Sequence, residues 1–185
     1  MKRLLTILTL VGALCTATSC GIFSHEPTAE EKAEAKKNMK EIKAALKSAD
    51  FTIYVDYMSP IGYGSTTLTD LNRIIVKGGE IRSELPYVGR VWGIVPYGGG
   101  KGLDFTSTID SSSYNREDSE TYEVKISTRT EEDSYDYNIT IYDNGTARIY
   151  VSAVQRDGIN FDGNFRFKRD NNTEEADNAE NSVEQ

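Results

Sequence analysis

The chain has 185 residues, with 29 acidic against 21 basic side chains and a formal net charge of −8 at neutral pH. A surface of that sign repels nucleic-acid phosphates, so we do not expect nucleic-acid binding. Both cysteines and the single histidine, His25, lie near the N-terminus, which excludes a disulfide framework, a cysteine–histidine zinc site and a histidine-based catalytic triad from the rest of the chain.

The first residues have the pattern of a secretory signal peptide. Lys2 and Arg3 precede an apolar run from Leu4 to Leu14, and small residues then lead into Cys20. The run is too short to cross a bilayer as a helix. The segment before Cys20 resembles the lipobox of bacterial lipoproteins, although Ala17 stands where leucine is usual. We therefore predict a signal peptide over residues 1–19 and lipid attachment at Cys20; the alternative is a secreted protein with an incidental cysteine.

A tether over residues 20–27 is expected to join the anchor to a helix. Thr28 and Glu31 have the spacing of a capping box, and the residues up to Ser48 favour a helix. One narrow face is apolar, formed by Ala35, Met39, Ile42 and Leu46. This face predicts a helix packed on the flank or open end of the domain, with a stalk or docking helix as the alternative.

Strands are predicted for most of the chain after this helix. Apolar and polar residues alternate from Phe51 to Tyr57, and further strands are indicated over 66–77 and 80–85, with Gly78-Gly79 as a turn. Leu103 to Phe105 also has a strand pattern. The polar stretch from Ser107 to Glu120 is predicted to be a loop.

The last third alternates most clearly. Four strands with one apolar face each are predicted over 122–129, 135–142, 147–154 and 159–167. Asn144-Gly145 is expected to form a two-residue type I′ hairpin turn. The fold class is therefore mostly β, an antiparallel curled sheet of about eight or nine strands that closes as a barrel or a sandwich, with one N-terminal helix. A single domain is expected over 28–169, followed by a disordered acidic tail over 170–185.

Several motifs together resemble a known family. They are a first strand that opens on Phe51, the segment from Leu85 to Arg90, the glycine-rich segment from Tyr97 to Phe105, and a turn from Asn144 to Ala147. This combination resembles exported lipoproteins of Gram-negative gut anaerobes that are catalogued as domain of unknown function 4251. The resemblance covers residues 51–167 and implies no activity, cofactor or catalytic residue.

The candidate ligand-binding residues lie in the glycine- and proline-rich stretch from Leu85 to Phe105. Tyr87, Trp92 and Tyr97 stand among glycines, and Arg90 could act as a forked donor. Rings with room beside them could line a site for a sugar, a peptide or a lipid-like ligand. The alternative is that Tyr87 and Trp92 plug the end of the core.

Other constellations do not predict catalysis. The Gly98 to Gly102 run lacks the ending of a phosphate-binding loop, and the oxygen-rich stretch from Asp110 to Asp118 lacks the order of a calcium loop. Glu84 and Asp104 flank the central stretch and are the weak candidates for a pair of catalytic acids. We predict no enzyme activity, no metal and no cofactor.

These observations favour a lipid-anchored outer-membrane protein, facing the periplasm or the cell surface, that acts as a non-enzymatic binding module. Its ligand could be a small molecule, a glycan or a protein. One alternative is an assembly partner that uses the helix and an exposed strand edge. A glycan- or peptide-directed hydrolase is the less favoured alternative.

Overall fold

The computed structural model describes residues 28–92, 102–118 and 120–167. The predicted signal peptide, the tether with Cys20, the tail over 170–185 and the candidate residue Tyr97 all lie outside these ranges.

The described chain forms one helix followed by eight strands. The elements are α1 Ala29–Ser48, β1 Phe51–Pro60, β2 Thr66–Lys77, β3 Glu80–Leu85, β4 Leu103–Arg116, β5 Thr121–Arg129, β6 Ser134–Tyr142, β7 Thr146–Ala153 and β8 Ile159–Phe165. Each strand pairs antiparallel with the next, and β8 pairs with β1 to close a barrel. The closing register runs from Ile53 opposite Phe165 to Pro60 opposite Ile159. The predicted fold class is confirmed, and the barrel is the form it takes.

The up-and-down order gives the barrel two different ends. The connections β2–β3, β4–β5 and β6–β7, together with α1, lie at one end, which we call the helix end. The connections β1–β2, β3–β4, β5–β6 and β7–β8 lie at the other, which we call the mouth end. An eight-stranded barrel has an interior just wide enough for side chains to fill. Alternate residues of the strands fill it, and the largest fully buried ones include Tyr135, Tyr137 and Phe161.

Helix α1 covers the helix end. The predicted capping box at its start is present, because Thr28 and Glu31 exchange side-chain to backbone hydrogen bonds. Met39, Ile42 and Leu46 are buried in the same hydrophobic core as the strands. The predicted packing is therefore confirmed, while almost all of residues 29–37 remain exposed beyond the barrel.

The Asn38 side chain fixes the position of α1 by donating a hydrogen bond to the carbonyl oxygen of Asp143 in the β6–β7 turn, at 3.0 Å. In the described ranges, we find no helix with the length and apolar character needed to span a membrane.

The β6–β7 hairpin differs from the predicted two-residue type I′ turn. Such a turn needs a positive φ at Asn144, but among the described non-glycine residues only Ala49 has one. Instead the Gly145 amide donates to the Tyr142 carbonyl at 3.0 Å and Gly145 has a φ of +86°, which makes a three-residue loop. The Asn144 side chain accepts hydrogen bonds from the amide and hydroxyl of Thr146 and stabilises this form.

The prediction of a loop from Ser107 to Glu120 is wrong, because β4 continues to Arg116. A bulge between Ile109 and Ser111 shifts its register, and the strand then pairs with β5 alone. Strand β3 reaches only as far as Thr108 along β4. Residues 110–116 are therefore exposed on both faces, and no apolar alternation is needed there. On the side away from β5, no described strand pairs with residues 110–115, and this is the exposed strand edge that the assembly alternative requires.

Two hydroxyl groups are buried in the apolar interior without a hydrogen-bond partner among the described residues, those of Ser83 and Tyr137. Burial raises the pKa of Tyr137. An unpaired buried hydroxyl has given up its hydrogen bonds to water without full compensation.

Replacing Tyr137 with Phe should therefore either raise the free energy of unfolding or lower it by no more than about 1 kcal/mol. The matched control is Ile139→Ala on the same strand, which should lower it by about 2–5 kcal/mol because it leaves a cavity. Urea denaturation followed by circular dichroism measures both. A loss above about 2 kcal/mol in Tyr137→Phe would show that the hydroxyl is hydrogen-bonded in the native protein.

Candidate functional site

The segment after β3 crosses the mouth end of the barrel. Strand β3 lies on the opposite side of the barrel from the β7–β8 loop. Nevertheless Val91 forms an antiparallel bridge with Arg156, and the Trp92 amide donates to the Gln155 carbonyl at 3.0 Å. The Asp157 amide donates to the Arg90 carbonyl, also at 3.0 Å. Residues 86–92 thus form a strap over the mouth end that is hydrogen-bonded on its far side.

Tyr87 fastens this strap from below. Its hydroxyl hydrogen is shared between the carbonyl oxygens of Arg90 and Asp157, each 3.0 Å away. Burial raises the pKa of Tyr87, so the hydroxyl keeps its proton. A Cβ atom on Gly89 would lie 2.5 Å from the Tyr87 hydroxyl oxygen, which explains why glycine is needed at that position.

A buried ion pair closes the mouth end beneath the strap. The Arg156 guanidinium donates to the Asp133 carboxylate at 3.2 Å and to the Gly102 carbonyl at 2.9 Å. It lies 5.3 Å from the ring centroid of Tyr87 and 5.4 Å from that of Tyr135, which are cation–π distances. The Asp133 side chain is fully buried. Its carboxylate also accepts hydrogen bonds from the backbone amides of Ser134, Val154 and Gln155.

The described candidate ligand-binding residues have different surroundings. Tyr87 packs against the hydrophobic core at the mouth end, as the alternative prediction stated for this residue. Arg90 is largely exposed, but its backbone amide and its side chain both donate to the Asp157 carboxylate. Trp92 is 61% exposed and covers no core. The structure therefore brings Tyr87 and Arg90 together through Asp157 and places Trp92 on the surface.

Four exposed apolar side chains lie on the two segments that the bridge joins. We call this set the mouth patch, and it consists of Val88, Val91, Trp92 and Val154. Val154 is 70% exposed and lies directly before Gln155, the residue that holds the Trp92 amide. Val154 ends a predicted strand, and Arg156 and Asp157 lie in the short polar connection after it, so nothing in the sequence marks these residues as part of a site.

The two weak candidates for catalytic acids lie opposite each other on β3 and β4, Glu84 across from Asp104. Glu84 is ion-paired with Arg73 and Arg82. The hydrogen bond from Arg73 is the main reason that the pKa of Glu84 lies below its ordinary value. A general acid needs a raised pKa, so this arrangement supports an ion-pair role. Among the described residues, no cluster of three or more histidine, cysteine or acidic side chains could hold a metal ion.

Comparisons with known proteins agree with the fold. A family model described as a domain of unknown function, DUF4251, matches residues 33–165. A crystal structure of a DUF4251 family protein from Bacteroides eggerthii DSM 20697 is similar, with a TM-score of 0.55 and 14% sequence identity. The similarity covers 72% of this chain and 91% of that one. No curated protein matches this chain. The predicted family resemblance is thereby confirmed.

Removing the buried carboxylate should strongly destabilise the protein. Asp133→Ala leaves the Arg156 charge buried without its partner, and we expect the free energy of unfolding to fall by about 3–5 kcal/mol. The neighbouring Glu132, which is partly exposed and 3.7 Å from Arg156, is the matched control, and Glu132→Ala should cost less than about 1 kcal/mol. Equal losses in urea denaturation of the two variants would contradict a central role for the buried pair.

The strap should loosen in acid. The Arg90 amide is the main reason that the pKa of Asp157 lies below its reference value of 3.8. The ionised Asp157 carboxylate stabilises the strap fully at pH values above its unfolded-state pKa. This stabilisation is lost as the pH falls through the lower pKa that Asp157 has in the folded protein. Trp92 is the sole tryptophan, so its fluorescence anisotropy reports on the strap.

Wild-type anisotropy should hold steady from neutral pH to about 4 and fall below that. Asp157→Asn should give the lower value already at neutral pH. The control Asp136→Asn, on the outer face of β6, should behave as wild type. An identical acid response in Asp157→Asn and wild type would show that this carboxylate does not hold the strap.

Proposed function

This chain belongs to the DUF4251 family, whose function is unknown, and we propose that it is a lipid-anchored, non-enzymatic interaction module of the outer membrane. The observation that carries this proposal is the mouth patch, a set of exposed apolar side chains on the strap and on the β7–β8 loop to which the strap is hydrogen-bonded.

The position of α1 supports an orientation for such a module. A segment from Cys20 to Thr28 spans at most about 30 Å when extended, and it leads directly into the exposed start of α1. The helix end would therefore face the lipid bilayer. The mouth patch, at the opposite end of the barrel, would point away from the membrane, where a partner can reach it.

The mouth patch has the properties of a protein-binding surface. Single exposed apolar residues are common on soluble proteins. Here Trp92 and Val154 are exposed on segments that Tyr87, Asp157 and Arg156 fix in place. A surface that is already ordered loses less conformational entropy on binding, and tryptophan is enriched among the residues that dominate interface energies. We propose that Trp92 is the central contact with a protein partner.

The use of the buried ionisable groups supports a role without catalysis. The Asp133 carboxylate is occupied by three backbone amides and by Arg156. Arg156 in turn holds the Gly102 carbonyl and lies between two tyrosine rings. The hydrogen bonds described for these two groups all go to the protein itself, and they stabilise the mouth end of the barrel.

Site-specific photo-crosslinking in the native cell envelope tests the interaction surface. A photoreactive residue at position 92 and one at position 154 should each give the same discrete adduct. The matched control is position 71, because Leu71 on β2 is 64% exposed but lies outside the mouth patch, and it should give no such adduct. The proposal fails if positions 92 and 154 give none, or if position 71 gives the same adduct.

The anchor is tested separately by metabolic labelling with a palmitate analogue. The wild-type chain should carry the label and partition into detergent, because acyl chains contribute about 0.8 kcal/mol per buried methylene to membrane binding. Cys20→Ala should lose both properties, and the control Cys15→Ala should keep them. Label retained in Cys20→Ala would place the lipid elsewhere or show that another modification is present.

A further inference from the structure

A cleft of about 490 Å³ lies on the outer wall of the barrel, toward the helix end, where β7, β8 and β1 run side by side. It is separate from the mouth patch. Its lining consists of Asp56, Tyr57, Tyr142, Asp143, Asn144, Thr146, Ala147, Arg148, Asp162, Gly163 and Asn164. This volume lies within the range of small-molecule sites in proteins.

A bulge in β1 shapes one wall of the cleft. The register of β1 shifts between Val55 and Tyr57, so Asp56 is an extra residue and both Asp56 and Tyr57 are exposed. Gly163 lies opposite the bulge, and any side chain there would clash with the carbonyl oxygen of Tyr54. The bulge thus places a carboxylate beside an aromatic ring, and bulges commonly re-aim side chains at sites.

The polar groups of the cleft are fixed in pairs. The Arg148 side chain donates to an Asp162 oxygen at 3.0 Å, and the Asn164 amide donates to an Asp56 oxygen at 2.7 Å. The hydrogen bond to Asp162 is the main reason that the pKa of Arg148 is raised, so its charge persists. Each pair retains donors and acceptors for a ligand, since a carboxylate has two oxygens and an amide has both kinds of group.

Two tyrosines stand at opposite sides of this polar floor. Tyr57 is on β1 and 46% exposed, and Tyr142 is half-buried on β6. Strands β7 and β8 lie between them, and Tyr142 lies two residues along β6 from Thr140, the residue in register with Tyr57. At the usual strand geometry their backbones are about 14 Å apart across the strands and about 7 Å apart along them. That distance accommodates two or three linked sugar rings.

We propose that this cleft binds a short stretch of a neutral glycan. Sugar rings offer apolar C–H faces to the tyrosine rings and hydroxyl groups that both donate and accept hydrogen bonds, as the Arg148–Asp162 and Asn164–Asp56 pairs require. Three carboxylates against one guanidinium disfavour phosphates and carboxylates. Arg148 offsets the charge of Asp162, and an organic cation, which the other two carboxylates would attract, is tested below as a competitor.

Saturation-transfer difference NMR tests this proposal with the detergent-solubilised full-length protein. The probes are maltotriose, cellotriose and triacetylchitotriose, all neutral, with spermidine as a cationic competitor. At least one trisaccharide should show saturable transfer with a dissociation constant of about 1 mM. Spermidine should not reduce the signal.

Variants assign the signal to the cleft. Tyr57→Ala and Tyr142→Ala should each weaken binding about tenfold, while Tyr57→Phe should keep it, because the ring is what stacks. The matched control is Tyr114→Ala, since Tyr114 is an exposed tyrosine on β4, and it should bind as wild type. Circular dichroism confirms that each variant is folded.

Three results would overturn the proposal. They are no transfer to any of the three trisaccharides, transfer that survives in both alanine variants of the cleft, and displacement of the sugar by spermidine. The last would identify a cation site. None of these results bears on the mouth patch, whose crosslinks depend on different residues.

Discussion

The structure depends on the pairing of β8 with β1. This pairing converts a meander into a closed barrel, and it commits alternate residues of the strands to an interior that must be filled by side chains. The helix covers one end of that interior, and the Asp133–Arg156 pair with its two tyrosines covers the other. A filled barrel with both ends covered offers its binding surfaces on the outside, which is where the mouth patch and the cleft are found.

Most of the fold could be predicted from the sequence wherever a segment has one buried and one exposed face. Alternation located β5 to β8 to within two residues, and a capping box located the start of α1. The same reasoning failed for β4, because residues 110–116 have no buried face and therefore no pattern. Barrel and sandwich could not be distinguished, because closure depends on contacts between the first and last strands, which no local pattern records.

The candidate site was predicted in part. The glycines and prolines around Tyr87 and Trp92 indicated a special backbone path, and the strap across the mouth end is that path. Its partners could not be found, because Asp133 and Arg156 come together only when β6, β7 and the strap are in place. The cleft was missed for a similar reason, since a single extra residue at Asp56 turns Tyr57 outward and leaves no mark on the composition.

The up-and-down strand order has one more consequence. Helix α1 enters β1 at the same end of the barrel at which β8 finishes, so the described chain begins and ends on one side of the domain. A reporter protein joined after Phe167, the last described residue, would start at the helix end and away from the strap. The connections at the far end, among them the strap, take no part in joining the domain to the segments on either side of it.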